Sequence, residues 1–496
     1  MGRARGSSGR RATRRCHVRR RSGCACPRAP CPVQAPRVRA SDGRVAADLH
    51  RQAAAPRPHP HARRSGHLRP VPGLGAAGLA RIASAAVSTT QTLGYCDDHL
   101  HLLACAAARR SVDVQAAASV GELLDIVGHA VRSSASPRMR RDCQDSAEGN
   151  GGDSRQWLRV WGYDDSLLDE RRHPTAAEVD AVTHGVPTVL HHVTGHVAVV
   201  NAAAGRALGL TSGEVLVERQ DLLAAVPRDD RSATVAGVTE VLADLVAAGI
   251  TACTDATHTN DIGALELLAE AAAGVPSVKV TAMVGADRLD SLEDLDFGET
   301  VLSSGGAADA GAVRVGHAKV MPPHDDDSAI ADLVAAARAH RFPVAVHVMD
   351  IDTLQATLDA LEAHPPPPAG TATSEARRPM PDRTVPDRIE HCALALPEQL
   401  DRIARLGVAV VTQPSFVTRR AQKYREQLSP TEQAWLWPLA SLLRRGIRVT
   451  LSSDAPTVPP DPAEWIEAAT GRDIAPAERI DAETARRLCM EAGADR

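Results

Sequence analysis

The chain has 496 residues, 44% of them apolar, which is enough for a large buried core. Five Trp, three Tyr and three Phe are its only aromatics, so Ala, Val and Leu must fill that core, which suits helix-on-strand packing and argues against an aromatic-rich β-sandwich. The net charge of −4 is unevenly spread: residues 1–70 hold 18 Arg, no Lys and two acids, leaving an acidic body that excludes broad nucleic-acid binding through basic stripes.

Residues 1–72 are rich in Arg, Pro, Ala and Gly and keep no apolar period over two turns, so this basic leader is expected to be disordered. No apolar h-region follows its arginines, which argues against a secretory signal. Four of the ten cysteines (Cys16, Cys24, Cys26, Cys31) lie in the leader, and those of the body suggest no pairing framework, so a reduced, cytoplasmic setting is expected. No run of about 18 apolar residues suggests a membrane span.

Residues 73–496 are expected to form the folded body. Short β-type runs at 94–103, 187–192, 249–255, 278–284, 313–321, 343–348, 387–392, 408–413 and 448–454 alternate with helical stretches at 236–248, 262–273, 327–340, 351–363, 397–406 and 438–445. This alternation predicts a parallel sheet and an α/β fold, a (β/α)₈ TIM-type barrel; nine candidates for eight places mean that one lies outside the barrel or is not a strand. Three polar or Gly/Pro-rich stretches, 134–156, 285–312 and 364–386, are read as surface loops.

The chemistry gathers at the ends of these runs. In Asp97-Asp98-His99-Leu100-His101 the side-chain period of a strand points His99 and His101 to one face, where two imidazoles can chelate one divalent ion. Val344-Ala345-Val346-His347, Arg388-Ile389-Glu390-His391 and Val449-Thr450-Leu451-Ser452-Ser453-Asp454 each end an apolar run on a potential ligand, at the end of the strand where barrel active sites lie. Any one of these could be an ordinary strand-end residue; all of them in this order point to a metal site. Lys319, one of only three lysines, falls in the run 313–321. Pointing into a barrel, it would need a partner or a modification. Reaction with CO₂ would make it an anionic carbamate able to bridge two metals; a salt-bridged or snorkelling lysine is the alternative.

With these residues in place, the sequence resembles the amidohydrolase superfamily, most closely the amidohydrolase family 3 branch, the group similar to N-substituted formamide deformylases. The resemblance spans about residues 93–490 and rests on Gly94-Tyr95-Cys96-Asp97-Asp98-His99-Leu100-His101, Val315-Gly316-His317-Ala318-Lys319-Val320-Met321, Pro343-Val344-Ala345-Val346-His347, Arg388-Ile389-Glu390-His391 and Ser452-Ser453-Asp454-Ala455-Pro456. It implies that His99 and His101 hold the more buried metal, that His347 and His391 hold a second, that carbamylated Lys319 bridges them, and that Asp454 is both a ligand and the general base. His196, in Thr194-Gly195-His196, is similar to a substrate-facing Gly-His of the branch.

The implied cofactor is one or two divalent ions, with zinc suited to these ligands, and the implied substrate is a small amide-like molecule whose C–N bond, other than a peptide bond, is hydrolysed by metal-activated water. Readings from other classes are a barrel that binds metal or ligand without turnover and a related hydrolase of cyclic amides, amidines or esters. No nucleic-acid or membrane partner is expected, and a homo-oligomer is compatible with the sequence. The small β-sandwich usual in the family is expected to be missing or incomplete, because neither the leader nor the residues after Asp454 carry its strands. The acidic-Gly pair that often follows the bridging lysine is replaced by Met321-Pro322-Pro323-His324.

Overall fold

The computed structural model describes residues 94–134, 157–217, 219–292, 296–298, 300–302, 312–322, 326–366 and 385–490. The leader 1–72 and most of the stretches 134–156 and 364–386 lie outside the described residues. The strands in chain order are β1 (Tyr95–Leu100), β2 (Val112–Asp113), β3 (Leu158–Tyr163), β4 (Thr188–His192), β5 (Val197–Val200), β6 (Glu214–Val217), β7 (Ile250–Asp255), β8 (Lys279–Gly285), β9 (Thr300–Leu302), β10 (Ala312–Val320), β11 (Val344–Val348), β12 (Arg388–His391), β13 (Ala409–Thr412) and β14 (Val449–Leu451).

Eight of these strands run parallel in the order β1-β7-β8-β10-β11-β12-β13-β14, and β9 pairs antiparallel on the flank of β10. The first and last strands meet just beyond β14, where Asp454 N donates to the His99 carbonyl at 2.7 Å and His101 N to the Ala455 carbonyl at 2.8 Å. The sheet thus curls into the expected (β/α)₈ barrel. Its alternation is visible in β11: Val344, Val346 and Val348 pack outward under the helices, while Ala345 and His347 take the opposite face. Helices such as Arg231–Ala247, Ile262–Ala273 and Ile351–Ala363 supply the outer layer, and Asp230, Asp261 and Asp350 cap their first turns with side-chain oxygens.

The sequence reading missed a second sheet. Between β1 and β7 the chain builds β2-β3-β4-β5-β6, whose first three strands are parallel and whose β4, β5 and β6 run antiparallel. The candidate 187–192 belongs here, as β4, and is the one left out of the barrel. Both faces of this sheet are covered. Val160, Leu190 and Val199 pack with Leu123, Val127 and Val179 on one side, and Val189, Ala198 and Val200 pack with Ala204, Leu208 and Leu216 on the other. The stretch 285–312, expected to be a loop, contains a short 3₁₀ turn at Ala286–Ser291 as well as β9. Edge pairing with β10 gives that short strand a hydrogen-bonding partner that local composition does not reveal. Among the described residues no helix is long and apolar enough to cross a membrane.

Candidate metal centre

The pleat of β1 carries Asp97 and His99 into the barrel, and His101 follows one residue past the strand. His99 is buried; His101, nearer the mouth, is 26% exposed. Two other candidates reach inward by a different device. His391 follows Glu390 directly and Asp454 follows β14, and each has a positive φ, +69° and +62°. A non-glycine residue in this left-handed region costs about 1–3 kcal/mol, and such residues concentrate at functional sites. At His391 the turn lets two consecutive side chains, Glu390 and His391, both serve the site.

The side chains converge at this one end of the barrel. Asp454 Oδ1 is 3.1 Å from His101 Nε2 and 3.4 Å from His99 Nε2. His391 Nε2 is 3.1 Å from His347 Nδ1. The ring centroids of His99 and His391 are 4.8 Å apart, and ligand atoms of His99, His391 and Asp454 all lie within 4.8 Å of one another. Away from this focus, other groups occupy the outer ring nitrogens. His99 Nδ1 meets Glu390 at 2.5 Å, His101 Nδ1 meets the Thr257 hydroxyl at 2.9 Å, and His391 Nδ1 donates to Gln413 Oε1 at 2.7 Å while Gln413 Nε2 donates to Ser452. Imidazoles fixed from behind, together with a carboxylate, form a donor set that fits a divalent cation.

The electrostatics agree with that fit. Burial, helped by Lys319, pushes His99 down to about 3, and burial also lowers His347 and His391, so all three rings are in the neutral, ligating form. Burial alone would raise Asp454, but the hydrogen bond from His101 holds it below the usual carboxylate range. Lys319 is 2% exposed, and its Nζ has no hydrogen-bond partner among the described residues. Burial pushes its ammonium down to about 8, so neutral amine is accessible near physiological pH. An orphaned, easily deprotonated amine at the wall of this site fits modification by CO₂. His196, in the turn between β4 and β5, brings its ring to 6.0 Å from that of His347.

The structure adds residues that the sequence reading passed over. Arg388 and Glu390 lie beneath His99, buried and paired. A signal for them was in view: two opposite charges, two apart, flanking Ile389 and just before His391. His258 follows Thr257 in the loop after β7. That loop lies so close to β8 that a Cβ at Gly285 would sit 2.2 Å from the His258 carbonyl oxygen, and Gly285 pairs in register with Lys319. Burial, then Lys319 and His101, push His258 down to about 4.

A second polar group, Asp164, Asp165 and His192, lies at the ends of β3 and β4. His192 Nε2 is 3.1 Å from Asp165, the Ser166 hydroxyl donates to Asp164 at 2.6 Å, and Arg420 Nε stands 3.5 Å from Asp164. With Arg420 balancing its charge, this group ties the inserted sheet to the helices that follow β13.

Comparison with known proteins gives the family and the fold. A model for the amidohydrolase family matches residues 94–495. The N-substituted formamide deformylase of Arthrobacter pascens is 26% identical, over 80% of this chain and 77% of that protein. Among solved structures, an uncharacterized metal-dependent hydrolase from Pyrococcus furiosus superposes with a TM-score of 0.56 at 21% identity, covering 80% of each chain. A similar protein from Pyrococcus horikoshii gives 0.57 at 20% identity, covering 80% of this chain and 79% of that one.

Proposed function

The chain belongs to the amidohydrolase family, and from that premise we propose that it hydrolyses a non-peptide C–N bond in a small amide-like substrate. The observation that carries this reading is the convergence of His99, His101, His347, His391 and Asp454 on one barrel mouth, with the outer nitrogens of His99, His101 and His391 already engaged. These residues would hold one or two divalent ions, zinc by donor type. When bound, such an ion supplies Lewis acidity, making water a competent nucleophile near neutral pH and polarising a carbonyl.

The chain's own groups do the rest. Asp454, held ionised beside His101, takes the proton of the attacking water and passes it to the departing nitrogen, so the acyl–N bond breaks with release of a neutral amine. Lys319, as free amine, adds to CO₂ and releases a proton to give an anionic carbamate ligand. His196, beside His347, contacts the substrate from the inserted sheet. A cytoplasmic location agrees with the described cysteines Cys96, Cys105, Cys253, Cys392 and Cys489 being outside any disulfide.

The test is a panel of N-formyl and N-acyl amines, cyclic amides and esters, offered to zinc-loaded and chelator-treated full-length chain. Amine release by the loaded chain alone is expected. Turnover confined to esters would overturn the C–N assignment.

A further inference from the structure

We infer that Glu390, braced by Arg388, is a positioning residue that fixes the tautomer and orientation of His99 and strengthens that ring as a metal donor. The inference rests on the metal-centre reading above. Arg388 and Glu390 are two apart on β12, so both point into the lumen, where an unpaired charge would be costly. They satisfy each other: Arg388 Nε donates to Glu390 Oε1 at 2.9 Å, and Nη2 donates to Oε2 at 3.2 Å. The same Nη2 donates to the Asp98 carbonyl on β1 at 2.9 Å. In the sheet order, β13 and β14 stand between β12 and β1, so this is a bond across the lumen.

Glu390 Oε2 then faces His99 Nδ1 at 2.5 Å. An ionised carboxylate has no hydrogen to give, so Nδ1 carries the proton. The lone pair of Nε2 is left on the side of the ring that faces Asp454, 3.4 Å away. An anion behind the ring also makes it a better electron donor, as in carboxylate–histidine–metal arrangements generally. His101 differs: its Nδ1 meets the neutral Thr257 hydroxyl rather than a carboxylate. The two histidines of β1 are therefore unequal: His99 is the rigid, charge-backed anchor, and His101 is the more exposed and adaptable ligand.

The experiment measures the zinc dissociation constant of the full-length chain by competition with a chromophoric chelator, together with the melting temperature of the metal-free chain. Glu390→Gln keeps the shape of the side chain and removes its charge, and it is expected to weaken zinc binding about 10–100-fold. The double variant R388M/E390Q removes the pair without leaving a buried Arg unpaired, and it should lose affinity similarly. Glu390→Asp keeps the charge on a shorter arm and should recover part of the affinity. Thr257→Val should cost less than Glu390→Gln.

A packing role would give the opposite order, with the isosteric Gln closer to wild type than Asp, and would lower the melting temperature without changing affinity. Wild type that binds zinc, with Glu390→Gln and the double variant binding as tightly, overturns this inference alone. A wild-type chain that takes up no zinc overturns the metal-centre reading and this inference with it.

Discussion

The barrel and the inserted sheet are made of the same kinds of strand, yet they spend their two faces differently. In the inserted sheet both faces bury aliphatic side chains, Leu190 and Val199 on one and Val189 and Val200 on the other, and polar chemistry is pushed to the turn that carries His192 and His196. In the barrel the outward face packs this way, as with Val280, Val284, Val449 and Leu451, while the opposite face keeps a small apolar cluster of Ala256, Met283 and Ala345. The inward face holds Asp97, His99, Lys319, His347, Arg388 and Glu390. A barrel that packs through its outer face can fill its lumen with ionisable groups, provided that each finds a partner. Arg388 with Glu390, Glu390 with His99, and Ser453 with Asp97 are those partners. Among the described residues Lys319 Nζ has no hydrogen bond of this kind.

If the division between a packing sheet and a chemical lumen holds, mutations in the two regions should fail in different ways. The largest effect is expected for Asp454→Asn, which keeps size and removes the base. Hydrolysis should fall by about 10²–10⁴-fold while most of the metal stays bound, read from rate and metal content on the same sample. Near wild-type turnover with full metal would break the comparison at its centre.

A somewhat smaller effect is expected for Leu190→Ala in the inserted sheet. Deleting this fully buried side chain should destabilise the chain by about 2–5 kcal/mol in denaturant titrations. Zinc affinity should be unchanged, because Leu190 packs with the helices over the inserted sheet, in a core that contains none of the metal-site residues. A parallel loss of metal affinity would show that the two regions are not separable.

Periodicity made the barrel legible. The runs that end on His347, His391 and Asp454 read as strands because their apolar residues face one helix layer and their last residue escapes it. The same logic found 187–192 as a strand but could not say that it was the one outside the barrel, since an apolar run carries no mark of which sheet it joins. β2 and β9, two and three residues long, are too short to show a period at all. In the site, the ligand positions were visible as His and Asp at strand ends. The charged pair Arg388 and Glu390 could be seen, but not that it stands behind a ligand, because Glu390 and His99 are 291 positions apart. Nor could alternation foretell that Glu390 and His391 both serve the site, which depends on the left-handed backbone at His391.

The central claim is that this mouth is a metal centre built from side chains that meet nowhere else. Its most direct test is the metal content of full-length chain, stripped with chelator, reloaded with zinc, passed through a desalting column and read by inductively coupled plasma mass spectrometry. Wild type should be compared with a variant carrying both His99→Ala and His391→Ala, with its folding checked by circular dichroism. The account predicts stoichiometric zinc in the wild type and none above background in the folded variant. Equal zinc in both, or none in either, would contradict it.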